Sequence, residues 1–280
     1  MSFYRFVYHQ LLRRHYYAIT APNRVLPDFL IIGAKRCGTT SLFSHLPEHP
    51  SIAKSHHDNI GFFNDNFHLG VNWYKSFFPT ITYKKKIEKQ HGKFLAFDVT
   101  TKYMESKITA KNIKKIKPEM KIIIMLRNPI DRAYSQFNLS VKEKTEKLNF
   151  EEAISEEMNR LKTDISNYHE KELLEFPNHD RHYIKKSLYA MQLKPWFNIF
   201  PRKNILVLST EEFRDNAEKI YNTIFNFLDL PKVQIKNKKH MQKGEYPPMN
   251  KEIRQELIKF FREYNMNLFE LIGKNFEWEN

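Results

Sequence analysis

Residues 27–41 read Pro27-Asp28-Phe29-Leu30-Ile31-Ile32-Gly33-Ala34-Lys35-Arg36-Cys37-Gly38-Thr39-Thr40-Ser41. The apolar run before Gly33 has no alternation, as expected of a strand buried on both faces of a parallel sheet. Two glycines and three hydroxyl residues follow, and Leu42-Phe43 then opens a helical pattern. A loop between a buried strand and a helix turns backbone N–H groups toward one point, which suits an anion such as phosphate. The spacing is almost that of a nucleoside-triphosphate loop, G-x-x-x-x-G-K-[ST]. Thr39 stands where that loop has its lysine, and the cation has moved inside, to Lys35 with Arg36 beside it. The change argues against ATP–Mg²⁺ chemistry and for an anion held without metal.

Outward from this loop, further strand-sized apolar runs alternate with helical stretches. Strands are expected at 94–99, 121–126 and 205–208, and helices at 39–46, 108–116, 129–141, 150–174, 217–228 and 250–271. Asn149-Phe150-Glu151-Glu152 has the capping residue and acidic first turn of a helix start. The pattern implies an α/β fold of three layers, P-loop-like, with a central, mainly parallel sheet and helices on both faces. Residues 1–24 read as a basic, aromatic extension and 25–280 as a single domain.

A second anion signal lies at the end of KIIIML (121–126), where Arg127-Asn128-Pro129 leads into Asp131-Arg132-Ala133-Tyr134-Ser135. Pro129 suits a first helical turn. Arg127 at the strand's carboxyl end and Ser135 two turns into the helix can converge on one phosphate, since ligands of open α/β sheets sit at that edge. An Arg127–Asp131 ion pair is the alternative reading.

The 280 residues carry 46 Lys and Arg against 32 Asp and Glu, a net charge of +14. An anionic partner is therefore expected, though composition bias explains lysine runs such as 84–86 equally well. One cysteine excludes an internal disulfide and a Cys-rich zinc site, and fits a reducing compartment. No stretch is apolar enough to span a membrane, and residues 1–17 lack a secretory signal. That stretch could form a helix resting on a membrane surface, although packing on its own domain is favoured. The expected location is the cytoplasm, with peripheral membrane contact as an option. His45, His49, His56 and His57 cluster in sequence, but without HExxH or cysteine pairs no metal site is expected.

Together the two loops resemble those of sulfotransferases that use 3′-phosphoadenosine 5′-phosphosulfate (PAPS), in the branch shared by bacterial enzymes and Golgi heparan-sulfate sulfotransferases. PDFLIIGAKRCGTTSL is similar to their 5′-phosphosulfate loop and IIIMLRNPIDRAYSQF to their 3′-phosphate motif. Matching segments continue in order through GFFNDNFHLGVNWYKSFFP, YIKKSLYAMQLKPWFNIFP, NILVLSTEEFRDN and FFREYNMNLFELIGKNFEW, so the resemblance covers roughly residues 27–280.

The resemblance implies PAPS as co-substrate, adenosine 3′,5′-bisphosphate (PAP) as product and no metal. Lys35 would stabilise charge on the leaving oxygen. Arg36, Gly38, Thr39, Thr40 and Ser41 would hold the 5′-phosphate, and Arg127 and Ser135 the 3′-phosphate. Lys243, Gly244 and Tyr246 align with a late Lys-Gly-Arg loop that closes over the cofactor, with Glu245 where the arginine would be. The family's catalytic glutamate falls at Asn59, which cannot act as a base, so His57 and Asp58 are the candidate substitutes. The heparan-type lysine falls at Val99, so a heparan-type acceptor is not supported. The expected acceptor is a hydroxyl or amine of a glycan, glycolipid or small molecule, and not a nucleic acid. Two other readings stay open: a P-loop kinase or NTPase, and an inactive PAPS-fold protein that only binds anions.

Overall fold

The computed structural model describes residues 17–167, 182–236 and 246–278. Its sheet comprises β1 (Phe29–Gly33), β2 (Ile52–Lys54), β3 (Leu95–Val99), β4 (Lys121–Leu126) and β5 (Ile205–Ser209), in the order β2-β3-β1-β4-β5. Every strand pairing is parallel. The described helices are α1 (Thr39–His45), α2 (Gly70–Lys75), α3 (Ile81–His91), α4 (Lys107–Ile116), α5 (Pro129–Lys142), α6 (Phe150–Asn167), α7 (Tyr189–Ile199), α8 (Thr210–Asp215), α9 (Ala217–Phe227) and α10 (Lys251–Ile272). The architecture is the expected α/β, P-loop-like one. β2 was not anticipated, because three residues give no periodicity to read. α3 was missed too, since none of its residues is buried and it lacks an apolar stripe.

β1 is wholly buried, and its central place puts the chain's reversal of direction beside it. The segments after β2 and β3 lie to one side and those after β4 and β5 to the other, so the carboxyl end of β1 is the crevice where such sheets bind ligands. Gly33 permits the close approach of β1 to β4: a Cβ there would lie 2.5 Å from the Met125 carbonyl oxygen. The main core runs along the sheet, from Phe29 stacked on Phe97 (5.0 Å between centroids) to Trp196 and Phe225. A second cluster joins α5, α6 and α10 through Ile130, Phe137, Phe150, Tyr183 and Phe261.

Local signals explain the ends. At the start of α6, Asn149 Oδ1 accepts from Glu152 N while Glu152 Oε2 accepts from Asn149 N, the reciprocal cap its sequence predicts. The helix expected over 150–174 is described to Asn167, and its remainder lies outside the described residues. Asn128 caps α5 by accepting from Ile130 N and Asp131 N, with Pro129 in the first turn.

Candidate active site

The segments that follow all five strands line one cleft of about 880 Å³ at the carboxyl edge of the sheet. From the β1 side come Lys35, Arg36, Gly38, Thr39 and Thr40, and after β4 come Arg127 and Ser135. Asp58 and Asn59 enter after β2, and Thr100, Thr101 and Glu105 after β3. Tyr246 borders the same space.

The loop after β1 is bent by two residues of positive φ, Arg36 (77°) and Gly38 (82°), which caps α1 without a side-chain bond. The bend lets Arg36 Nε donate to Ser135 Oγ at 3.0 Å, so the two anion motifs meet directly. Burial lowers the Arg36 pKa, with Tyr246 acting in the opposite direction. At Arg127 burial acts downward, but Tyr246, which also hydrogen-bonds it, and Asp131 outweigh that and the pKa rises. Asp131 itself forms a 2.9 Å ion pair with Arg254, rather than serving as a private partner of Arg127. Tyr134 places Tyr246 edge-on at 5.3 Å and donates to the Pro247 carbonyl, tying the late loop to α5.

Arg132, which the sequence reading gave no role, holds the cleft's segments together. It is fully buried. Its guanidinium donates to Ser187 Oγ (2.6 Å), Gln136 Oε1 (2.7 Å), the Lys35 carbonyl (3.4 Å) and the Tyr183 carbonyl. One side chain thus fastens the Lys35 loop to α5 and to the segment carrying Lys186. The spacing Arg127…Arg132…Ser135 was the available signal, because a helix places Arg132 and Ser135 on neighbouring positions of one face.

On the other side of the cleft, Asp98 is fully buried at the end of β3. Its Oδ2 accepts from Tyr74 and Tyr103 (2.9 Å each) and its Oδ1 from Thr100 (3.1 Å). Burial pushes its carboxyl up to about 6, against these hydrogen bonds. Tyr103 Oη in turn accepts from Phe62 N, which anchors the segment bearing Asp58 and Asn59. Asn59 has φ 54°, and its side-chain oxygen accepts from Thr101.

The predicted residues fall into three groups. Lys35, Arg36, Gly38, Thr39, Thr40, Asp58, Arg127, Ser135 and Tyr246 are brought together in the cleft. Ser41 is fully buried behind it, and His57 is outside the lining, its ring edge-on to Phe77 at 6.3 Å. Lys243 and Gly244 lie outside the described residues. The clustered histidines separate to different partners: His45 to Tyr221, His49 to the Pro231 carbonyl and His56 onto Tyr17. Trp73 and Tyr74 pack against Phe62. Cys37 is buried in the loop after β1, and burial pushes its thiol up to about 12. Among the described residues, no group of His, Cys, Asp and Glu is arranged to hold a metal, and no helix is long and apolar enough to cross a membrane.

The model of the sulfotransferase domain family matches residues 26–267. The chain is 26% identical to the membrane-associated sulfotransferase kil1 of Dictyostelium discoideum, over 91% of this chain and 67% of that protein. It is also 26% identical to the mouse bifunctional heparan sulfate N-deacetylase/N-sulfotransferase 4, over 89% of this chain but only 30% of that longer protein. Among solved structures, the sulfotransferase from Alicyclobacillus acidocaldarius superposes with a TM-score of 0.69 at 25% identity, over 91% of this chain and 100% of that one. With a buried strand, a cation-bearing loop and a second anion motif joined in one cleft, these similarities settle the family: the chain belongs to the sulfotransferases and is a PAPS-dependent enzyme.

Proposed function

We propose that the enzyme moves the sulfuryl group of PAPS to a hydroxyl or amine of a glycan, glycolipid or small molecule and releases PAP. The observation that carries this reading is the joining of the two anion motifs through Arg36 and Ser135 in a cleft that Asp58 also lines. The donor set fits the nucleotide. Lys35, Arg36, Thr39 and Thr40 would surround the 5′-phosphosulfate, and Arg127 and Ser135 the 3′-phosphate that ATP lacks. Tyr246, held against Arg127, would close that end, with Lys243 and Gly244 proposed to complete the closure.

In the transfer, the acceptor oxygen or nitrogen bonds to sulfur as the sulfur–oxygen bond to the 5′-phosphate breaks. Lys35 would neutralise the charge growing on that leaving oxygen, the term that preorganised cations supply most effectively. Asp58 would take the acceptor's proton, with His57 the second candidate should its segment rearrange. Peripheral membrane contact, here assigned to residues 1–17 of a cytoplasmic enzyme, belongs to the same proposal, and what supports it is that one relative is named as membrane-associated. The test is transfer of label from ³⁵S-PAPS in EDTA across glycan, glycolipid and phenolic acceptors. Turnover without metal is expected, and a requirement for ATP and Mg²⁺ would refute the reading.

A further inference from the structure

The order of the strands divides the cleft into two halves of opposite electrostatic character. Among the described residues beside β1, β4 and β5, the lining cations are Lys35, Arg36, Arg127 and Arg214, and the acid is Glu211. Glu211 is already engaged, accepting from Asn128 N, Ser209 Oγ and Trp278 Nε1. Beside β2 and β3 the lining changes sign. Three carboxylates, Asp58, Asp65 and Glu105, line it with Lys102, while Lys186 reaches across from the connection between β4 and β5. Lys186 lies 3.5 Å from Glu105, both side chains about nine-tenths buried, so its charge is matched locally. The buried Asp98 stands directly behind this half.

Among the described residues, other positive charge lies outside this half, for example on α3, whose Lys85, Lys86 and Lys89 are exposed and outside the lining. A polyanion entering the acceptor half would meet the like charge of Asp58 and Asp65, both exposed, a repulsion that acts at close range and weakens with added salt. The rest of this half is mostly amides and hydroxyls, from Asn59, Asn66, Thr100 and Thr101, with Ile60 and Gly61 as its two apolar members. The neighbouring rings Phe62 and Phe63 are fully buried in the core and give no apolar wall for a phenol or steroid.

We infer that the acceptor is a sugar without acidic groups, neutral or amine-bearing, rather than a polyanion such as the heparan sulfate named for one of the relatives. Carboxylates, amides and hydroxyls are the groups that bind sugar hydroxyls, and aspartates also accept a protonated amine. The inference rests on the PAPS reading above.

The experiment uses the full chain with ³⁵S-PAPS and three tetrasaccharides: an N-acetylglucosamine oligomer, its de-N-acetylated amine form, and an alternating N-acetylglucosamine–glucuronate chain. PAP binding is measured in parallel by calorimetry. Transfer to one of the two non-anionic sugars should exceed transfer to the glucuronate chain at least tenfold. Equal or faster transfer to the glucuronate chain overturns the inference. So does absence of transfer to both non-anionic sugars while PAP still binds. Failure of PAP to bind would instead refute the PAPS reading itself, and the inference with it. Asp65→Lys, at an exposed position, should cut the preference several-fold without changing PAP affinity, and an unchanged preference would count against the electrostatic argument.

Discussion

Arg36 Nε and Ser135 Oγ, far apart in the chain, form a 3.0 Å hydrogen bond that joins the loop after β1 to the helix after β4. Because both residues border the cleft, a bisphosphate would be read by the pair together. Residues in one hydrogen-bond network are not additive. Arg36→Ala and Ser135→Ala should therefore weaken PAP by less in combination than the sum of the single losses. Calorimetry on the four proteins measures the coupling, and strict additivity would show that the contact is incidental.

Lys35→Ala should lower kcat by about 10² to 10³ with little change in PAPS affinity, as for loss of one preorganised donor at a leaving oxygen. Steady-state kinetics separates the cases: a change confined to KM would make Lys35 a binding residue only.

Asp58→Asn should cost roughly 10² to 10⁴ in kcat, the usual scale for loss of a general base, and leave PAP binding intact. His57→Ala should cost far less, since His57 packs on Phe77 outside the cleft lining. Assays of both variants on one acceptor decide the order, and the reverse ranking would move the proton acceptor to His57.

How much of this could be read from the sequence depends on how local each feature is. β1, its loop and α1 are contiguous, so a buried apolar run followed by glycines and hydroxyls was enough to read the strand, the turn and the start of the helix. The Arg127–Ser135 motif was legible for the same reason. The Lys186–Glu105 pair, the network around Asp98 and the Tyr134–Tyr246 contact join segments that only the sheet order brings together, so no spacing announced them. Ser41 looked like a phosphate donor because it follows two others, but the helix turns it into the core. Period-two alternation places His57 on the same face as Asn59 and Asp58 on the other, but Asn59 adopts a left-handed turn, where strand alternation does not hold.

Asp98 yields a pH dependence with a defined sign. Burial raises its pKa from 3.8 to about 6. The folded state thus holds this proton more tightly than the unfolded chain. Its contribution is most favourable below the unfolded value and declines as pH rises through the folded one. Across roughly pH 4 to 6 the decline is on the order of 3 kcal/mol. Thermal melts should show this component in the wild type and lack it in Asp98→Asn. Identical pH profiles would remove Asp98 from the account.

Gly33→Ala tests the approach of β1 to β4, because the added Cβ would meet the Met125 carbonyl oxygen at 2.5 Å. A loss of about 1–3 kcal/mol is expected from overpacking. Denaturant midpoints measure it, and a neutral substitution would mean that the strands separate freely.

The central claim is that Arg127 and Ser135 read a 3′-phosphate while the loop after β1 holds the 5′ end. Calorimetry of the wild type in EDTA, comparing PAP with adenosine 5′-phosphate, tests it most directly. A charge-assisted contact to a desolvated phosphate should favour PAP by roughly 2 to 4 kcal/mol, about 30- to 1000-fold in Kd, and Arg127→Ala should remove most of that preference. Equal affinity of the wild type for the two nucleotides would contradict the assignment.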